Sequence, residues 1–405
     1  MKKGIIYIII AAAATIACVV MLIFSAAAQI SRDRTALLET VADTRVMTAS
    51  ASAIVSDNSM LDTSDLFTDR DMVQNPDLSE AQYLTVSDGE DIHISQEGTY
   101  VLTGTASDMT VYIEAGDNDK VQLVLDGLNI TNADFPCIYI KEADKAFITV
   151  SADSSLNVTG SFTADEDTNT DGVIFSKVDL VMNGTAELTI NSSEIGVVCK
   201  DDLKITGGTY NVTAGTKAFE AKDSIRICDG TFMLEAGTDG LHSENSDDDT
   251  KGYIYISGGT FNIQAGDDAI HALSIVQIDE GTFNISAGEG IEATYVQINS
   301  AELSIQARDD GINAGRKSNS YYPTIEINGG TVNIEMGAGD TDGVDSNGDI
   351  IINGGTISVS GNSTFDCDGT AQYNGGTIIV NGQQTDSIPN QMMGMGGGGS
   401  KGGRR

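Results

Sequence analysis

The sequence predicts an all-β chain wound as a right-handed parallel β-helix, a solenoid, and three observations predict it. First, one pattern recurs from about residue 178 to 382: apolar-x-apolar, x-Gly-Gly-Thr, apolar-x-apolar, then a small residue, an acid, Gly and an apolar residue. Its Thr-equivalent positions are Thr185, Thr209, Thr231, Thr260, Thr282, Glu302, Thr331, Thr356 and Thr377, spaced by 24, 22, 29, 22, 20, 29, 25 and 21 residues. The base period is about 20 to 25 residues with two insertions, 243–252 and 315–323, and such a period marks stacked repeats. Second, apolar and polar residues alternate inside each unit, as at Ile256, Phe261 and Ile263, which is a strand pattern. Third, three short strands between Gly-rich turns fill one unit, which cannot bury its own apolar face but can in a stack. A leucine-rich repeat has a similar period, yet it needs a helix or a Leu-Asn signature in each unit, and neither is present.

The elements follow in chain order. Residues 1–30 begin Met1-Lys2-Lys3 and continue uncharged from Gly4 to Ile30, which reads as a signal peptide or an N-terminal membrane anchor. The two lysines place the rest of the chain outside the cell or at its surface. Residues 31–81, rich in Ser, Thr, Asp and Ala, read as a linker, with 60–81 an N-terminal cap. The β-helix domain is predicted over 82–382, with weaker early coils near 99–105, 121–128 and 146–158. Residues 383–405 end in a flexible Gly/Met-rich tail.

Composition excludes several functions. The chain has 405 residues, 22 Lys+Arg against 59 Asp+Glu and a formal charge of −37, so no nucleic-acid partner is expected. Hydrophobic residues make up 40%, enough for a large core rather than a disordered acidic tail. Three His and five scattered Cys, with no CxxC pair, leave little for a zinc site. Cys137, Cys199, Cys228 and Cys367 are expected as thiols outside any disulfide framework, and the protein as a monomer.

The acids fall at one corner of the repeat. It reads Asp239-Gly240-Leu241-His242, Asp268-Ala269-Ile270-His271, Glu289-Gly290-Ile291-Glu292, Asp310-Gly311-Ile312-Asn313 and Asp342-Gly343-Val344-Asp345, with Asp171-Gly172-Val173 an earlier copy. Asp267, Asp309 and Asp340 precede the corner. Equivalent residues of successive coils stack roughly 4.8 Å apart. Unpaired carboxylates at that spacing repel by about 1 kcal/mol per pair in water, and more where partly buried. Backbone N–H groups at the Asp-Gly turns relieve part of this. Calcium, which takes six to eight oxygens, relieves it better. The expected ligands are Asp239, Asp267, Asp268, Glu289, Glu292, Asp309, Asp310, Asp340, Asp342 and Asp345. His242 and His271 share a repeat position with Glu292, Asn313 and Asp345 and read as a polar ladder, with a transition-metal pair as the alternative.

Sugar rings stack on aromatic faces, and the chain has no Trp. Tyr321 and Tyr322, beside Arg316 and Lys317 in the second insertion, are the expected carbohydrate contacts. Arg308, next to Asp309, is the one candidate base beside the acidic column, should the chain be a lyase.

The units Gly258-Gly259-Thr260-Phe261-Asn262-Ile263 and Asp309-Asp310-Gly311-Ile312-Asn313-Ala314, with the export signal and the tail at 391–399, resemble the clostridial β-helical carbohydrate-binding proteins. These are similar in fold to pectate lyases, and the resemblance covers about 82 to 400. It implies calcium within the helix, ligands at corners such as Asp268, Asp310 and Asp342, and binding of cellulose and polygalacturonate at the cell surface. The expected function is an extracellular, calcium-binding, non-catalytic polysaccharide-binding protein. A calcium-dependent pectate lyase and a surface adhesin or structural spacer are the alternatives.

Overall fold

Alternating apolar residues force the same three short strands on each coil, because only the inward-facing side chains can leave water. The structure, a computed structural model, describes residues 59–338 and 341–389. The predicted signal or anchor, residues 31–58, Asp340 and the tail from 390 onward lie outside the described residues. Among the described residues every regular element is a strand. A 24-stranded sheet takes two strands from each coil and a 12-stranded sheet takes the third. One coil, for example, comprises Asp202–Ile205, Thr209–Ala214 and Phe219–Ala221.

Strands pair in parallel with their counterparts one coil away. Thr209 aligns with Thr231, then Thr260, Thr282, Glu302, Thr331, Thr356 and Thr377. Thr185 breaks this series, since Glu187 is the residue aligned with Thr209. The turn before it is wider: the amides of Thr185 and Ala186 both reach Val150 O, at 3.0 and 3.2 Å. Asp171 also falls out of line, because Gly172 pairs with Ile195. The last coil is closed by Gln383–Thr385, which folds back antiparallel on Thr377–Val380 and occupies an otherwise open edge.

Inward residues stack along the axis. The rings of Tyr210, Phe232, Phe261 and Phe283 follow one another at 5.4, 4.5 and 4.4 Å. Burial of each contributes about 1.5–3 kcal/mol, and register turns this into a continuous aromatic column. The second Gly of the Gly-Gly-Thr turns has no room for a side chain. At Gly330 φ is +80°, and a Cβ would stand 2.2 Å from Ala301 O.

Residues 59–74 do not sit over an end of the stack, as an end cap would. They run along its side, across the outward column Lys204, Arg226, Tyr255, Gln277 and Gln297 of the larger sheet. The Met60 amide donates to Gln297 Oε1 (3.0 Å) and the Leu61 amide to Gln277 Oε1 (2.9 Å). Phe67 packs on Tyr255. Thr206 Oγ1 donates to Asp71 O (2.6 Å), and the Gly184 amide donates to Gln74 Oε1 (2.9 Å). This strap satisfies polar groups that would otherwise be buried without partners. It also leaves the outer face of the smaller sheet uncovered by residues 59–74.

Candidate functional site

Two adjacent columns of side chains emerge from the smaller sheet. The corner column is Asp239, Asp268, Glu289, Asp310 and Asp342, placed two residues before the paired apolar residues Leu241, Ile270, Ile291, Ile312 and Val344. The outward column, in register, is Glu220, His242, His271, Glu292, Asn313, Asp345 and Asp366. Asp366 was missed from sequence because its coil carries Ser363 where the five preceding coils carry an acid. Asp267 and Asp309 stand exposed just before the corner.

The columns divide electrostatically. In the first half, basic side chains meet the acids. Asp239 Oδ2 lies 2.9 Å from His242 Nδ1, and Asp268 Oδ2 lies 2.6 Å from His271 Nδ1. His271 Nδ1 also lies 3.0 Å from Glu292 Oε2, which Lys317 Nζ approaches at 2.7 Å. Burial alone would lower the His271 pKa; Asp268 and Glu292 outweigh it and raise it to about 9. Burial would raise Glu292, but hydrogen bonds from His271 and Lys317 bring it down to about 2. Asp239, Asp268 and Glu292, expected as calcium ligands, are therefore already paired with the protein's own imidazoles and ammonium.

In the second half nothing basic intervenes. No Lys, Arg or His pairs with Glu289, Asp310, Asp342 or Asp345 among the described residues. Burial, then the charges of Glu292 and Asp268, push Glu289 up to about 8. Burial pushes Asp310 up to about 6, helped by Asp309 and Asp342 against the backbone hydrogen bond from Asp342. Burial, then Asp310, Asp342, Asp366 and Asp368, push Asp345 up to about 7. Three hydrogen bonds relieve the group: Asn313 Nδ2 to Glu289 Oε2 (3.1 Å), the Asp342 amide to Asp310 Oδ1 (3.1 Å), and Ser363 Oγ to Asp342 Oδ1. Glu289, Asp310 and Asp345 are thus held above their ordinary titration range, and every side-chain donor they present is an oxygen.

Groups of ligand atoms already within 4.8 Å of one another lie elsewhere: His242–Glu244–His271, Asp268–His271–Glu292 and Asp179–Asp201–Asp202. The last sits on another corner and was not legible as part of the repeat. Burial and then Asp179 and Asp223 push Asp201 up to about 6.

The two insertions meet beside these columns. Ser318 Oγ donates to Asp249 O (2.6 Å), while the Asn319 amide and Ser320 Oγ donate to the Asp249 carboxylate (3.1 and 3.2 Å). Asp249, in the first insertion, is thus a contact to residues of the second insertion 69 to 71 positions away. Lys317 turns inward to Glu292 and is committed to an ion pair rather than free for a sugar. Arg316 is exposed, Tyr321 half-buried and Tyr322 53% exposed. Arg308 is exposed, and its Nη2 donates to Gly266 O two coils back (2.8 Å); it lines a groove of about 590 Å³ with Glu335 and Ser360. Cys137, Cys199 and Cys367 are buried and Cys228 partly buried, and none of the four is in a disulfide.

Residues 88–343 match the family described as carbohydrate-binding domain-containing protein. A protein of that description from Acetivibrio thermocellus is 36% identical over 137 residues, 32% of this chain and 47% of the relative. The chain thus spans about half the length of the curated relative it matches. A solved structure described as the polysaccharide lyase-like protein from C. thermocellum, a gadolinium derivative, aligns at 30% identity and a TM-score of 0.49. That alignment covers 55% of this chain and 95% of the other.

Proposed function

Because the chain belongs to the family of carbohydrate-binding domain-containing proteins, we propose that it is an exported, non-catalytic, calcium-dependent polysaccharide binder built on a right-handed parallel β-helix. The observation that carries the calcium reading is the uncompensated half of the two columns. There Glu289, Asp310 and Asp345 lie on consecutive coils with raised pKa values, and Asp342 stands among them, all without a basic partner among the described residues. These four would hold the ion, with Asp366 at the far end. Calcium there supplies positive charge where the protein has only carboxylates. A net charge of −37 repels a polyuronate, and a bound divalent ion reverses the sign locally. Polygalacturonate and cellulose are the glycans to test first. The exposed ring of Tyr322, on the same insertion as Arg316, offers a stacking face where that insertion borders the columns.

The test is retention of the purified chain on polygalacturonate and on cellulose, with calcium and with chelator. The expected result is calcium-dependent retention on at least one glycan, lost in E289Q/D345N, with no ultraviolet absorbance from unsaturated uronate. Product formation that disappears in Arg308→Ala would make the protein a lyase. Calcium-dependent melting with no retention on either glycan would make it a structural spacer.

A further inference from the structure

We propose that His242, His271 and Glu244 form a second metal site, chemically distinct from the all-oxygen calcium site, for a divalent transition metal such as zinc. The two imidazoles stack on adjacent coils with ring centres 4.6 Å apart and planes 14° apart. His271 is oriented by the corner carboxylate of its own coil, whereas His242 Nδ1 lies at ion-pair distance from Asp239 without a hydrogen-bond partner. Asp239 Oδ2 stands 2.9 Å from His242 Nδ1, and Asp268 Oδ2 stands 2.6 Å from His271 Nδ1. A carboxylate on one ring nitrogen fixes the tautomer, raises the basicity of the other nitrogen and turns it toward a metal. His242 Nε2, which faces Glu244, and His271 Nε2, once a metal displaces its proton, are the ligand positions.

Glu244 completes the set. It lies two residues beyond His242, and its Oε2 is 3.6 Å from His242 Nε2. One ligand atom from each of His242, Glu244 and His271 lies within 4.8 Å of the other two. Zinc–nitrogen bonds of about 2.0–2.1 Å require a tighter set than this, and Glu244, 52% exposed on its side chain, can swing to close it. The donors are two nitrogens and one oxygen, a combination that suits zinc, copper or nickel and does not suit calcium. The site also opens outward. His242 and Glu244 line a depression of about 370 Å³ with Glu220, Lys200, Lys217 and Ser246, so a fourth ligand has access from solvent. The shared repeat position of His242 and His271 already allows a transition-metal pair; the structure adds Glu244 as the third donor and the distances.

The experiment is titration of the chelator-stripped full chain with zinc in excess calcium, followed by titration with cobalt as a spectroscopic probe. One zinc ion per chain is expected to bind, and cobalt to develop visible absorption of a four-coordinate ion. H242Q and H271Q should each weaken binding by about 100-fold or more, the upper end of what losing an outer partner costs. D345N should leave zinc binding unchanged while weakening calcium, which separates this site from the calcium reading. H93Q, which alters the remaining histidine, should bind zinc as the parent does. Circular dichroism checks that each variant folds, and E244Q on the exposed side chain replaces any that does not. Absence of a one-to-one zinc complex, or binding that survives H242Q, H271Q and E244Q, would overturn the proposal.

Discussion

Asp71 Oδ2 accepts a hydrogen bond from Lys204 Nζ at 3.1 Å, across 133 residues of sequence, and both side chains are almost wholly buried. Lys145 Nζ lies 3.8 Å from the other Asp71 oxygen. This ion pair fastens the strap to the coils.

Asp71→Ala is expected to cost about 3–5 kcal/mol, because it leaves a buried ammonium without its partner. D71M/K204M should recover most of that loss. Denaturant unfolding measures the loss, and limited proteolysis shows whether the strap is the part released. A single variant within about 1 kcal/mol of the parent would show that water reaches Lys204.

Stability should depend on His271 in one pH window. Its folded pKa of about 9 lies above the ordinary value of about 6.5. The contribution is therefore fully present below about 6.5 and is lost as pH rises through about 9. Melting temperature recorded in chelator from pH 6 to 10 should fall across that window, and the fall should be shallower in His271→Gln.

The calcium effect should grow with pH. Glu289 and Asp345 hold protons up to about 8 and 7 in the folded chain, above their unfolded values, so their ionisation destabilises the fold as pH rises. A cation removes that penalty and displaces protons. Calcium should raise the melting temperature more at pH 8 than at pH 5. Equal shifts at the two values would place calcium elsewhere.

Phe261→Ala should destabilise the chain by about 3–5 kcal/mol, since the ring is stacked on both sides and the cavity cannot collapse from either. Urea unfolding at constant m-value measures it. Phe261→Leu should be markedly milder.

Gly330→Ala combines a left-handed φ of +80° with a backbone clash, so at least about 1–3 kcal/mol is expected. Gly382 also has a positive φ (+78°), but a Cβ there would meet nothing within 4 Å. The same change at Gly382 should therefore cost less, and the difference in unfolding free energy separates strain from clash.

What the sequence determined by itself is whatever repeats. Period and alternation reveal which residues point inward, and the alignment of Thr209, Thr231, Thr260 and Thr282 follows from counting. So does the shared position of His242 and His271. Thr185 and Asp171 were misaligned because a turn or a pairing shifts by one or two residues with no mark in the composition. The tertiary structure alone decided the contacts that do not repeat. The strap at Asp71, the grip of Asp249 on the second insertion and the reach of Lys317 to Glu292 join distant segments through single side chains. Those contacts decide which carboxylates meet a basic partner and which do not, since charge compensation depends on distances of a few ångströms that periodicity cannot encode.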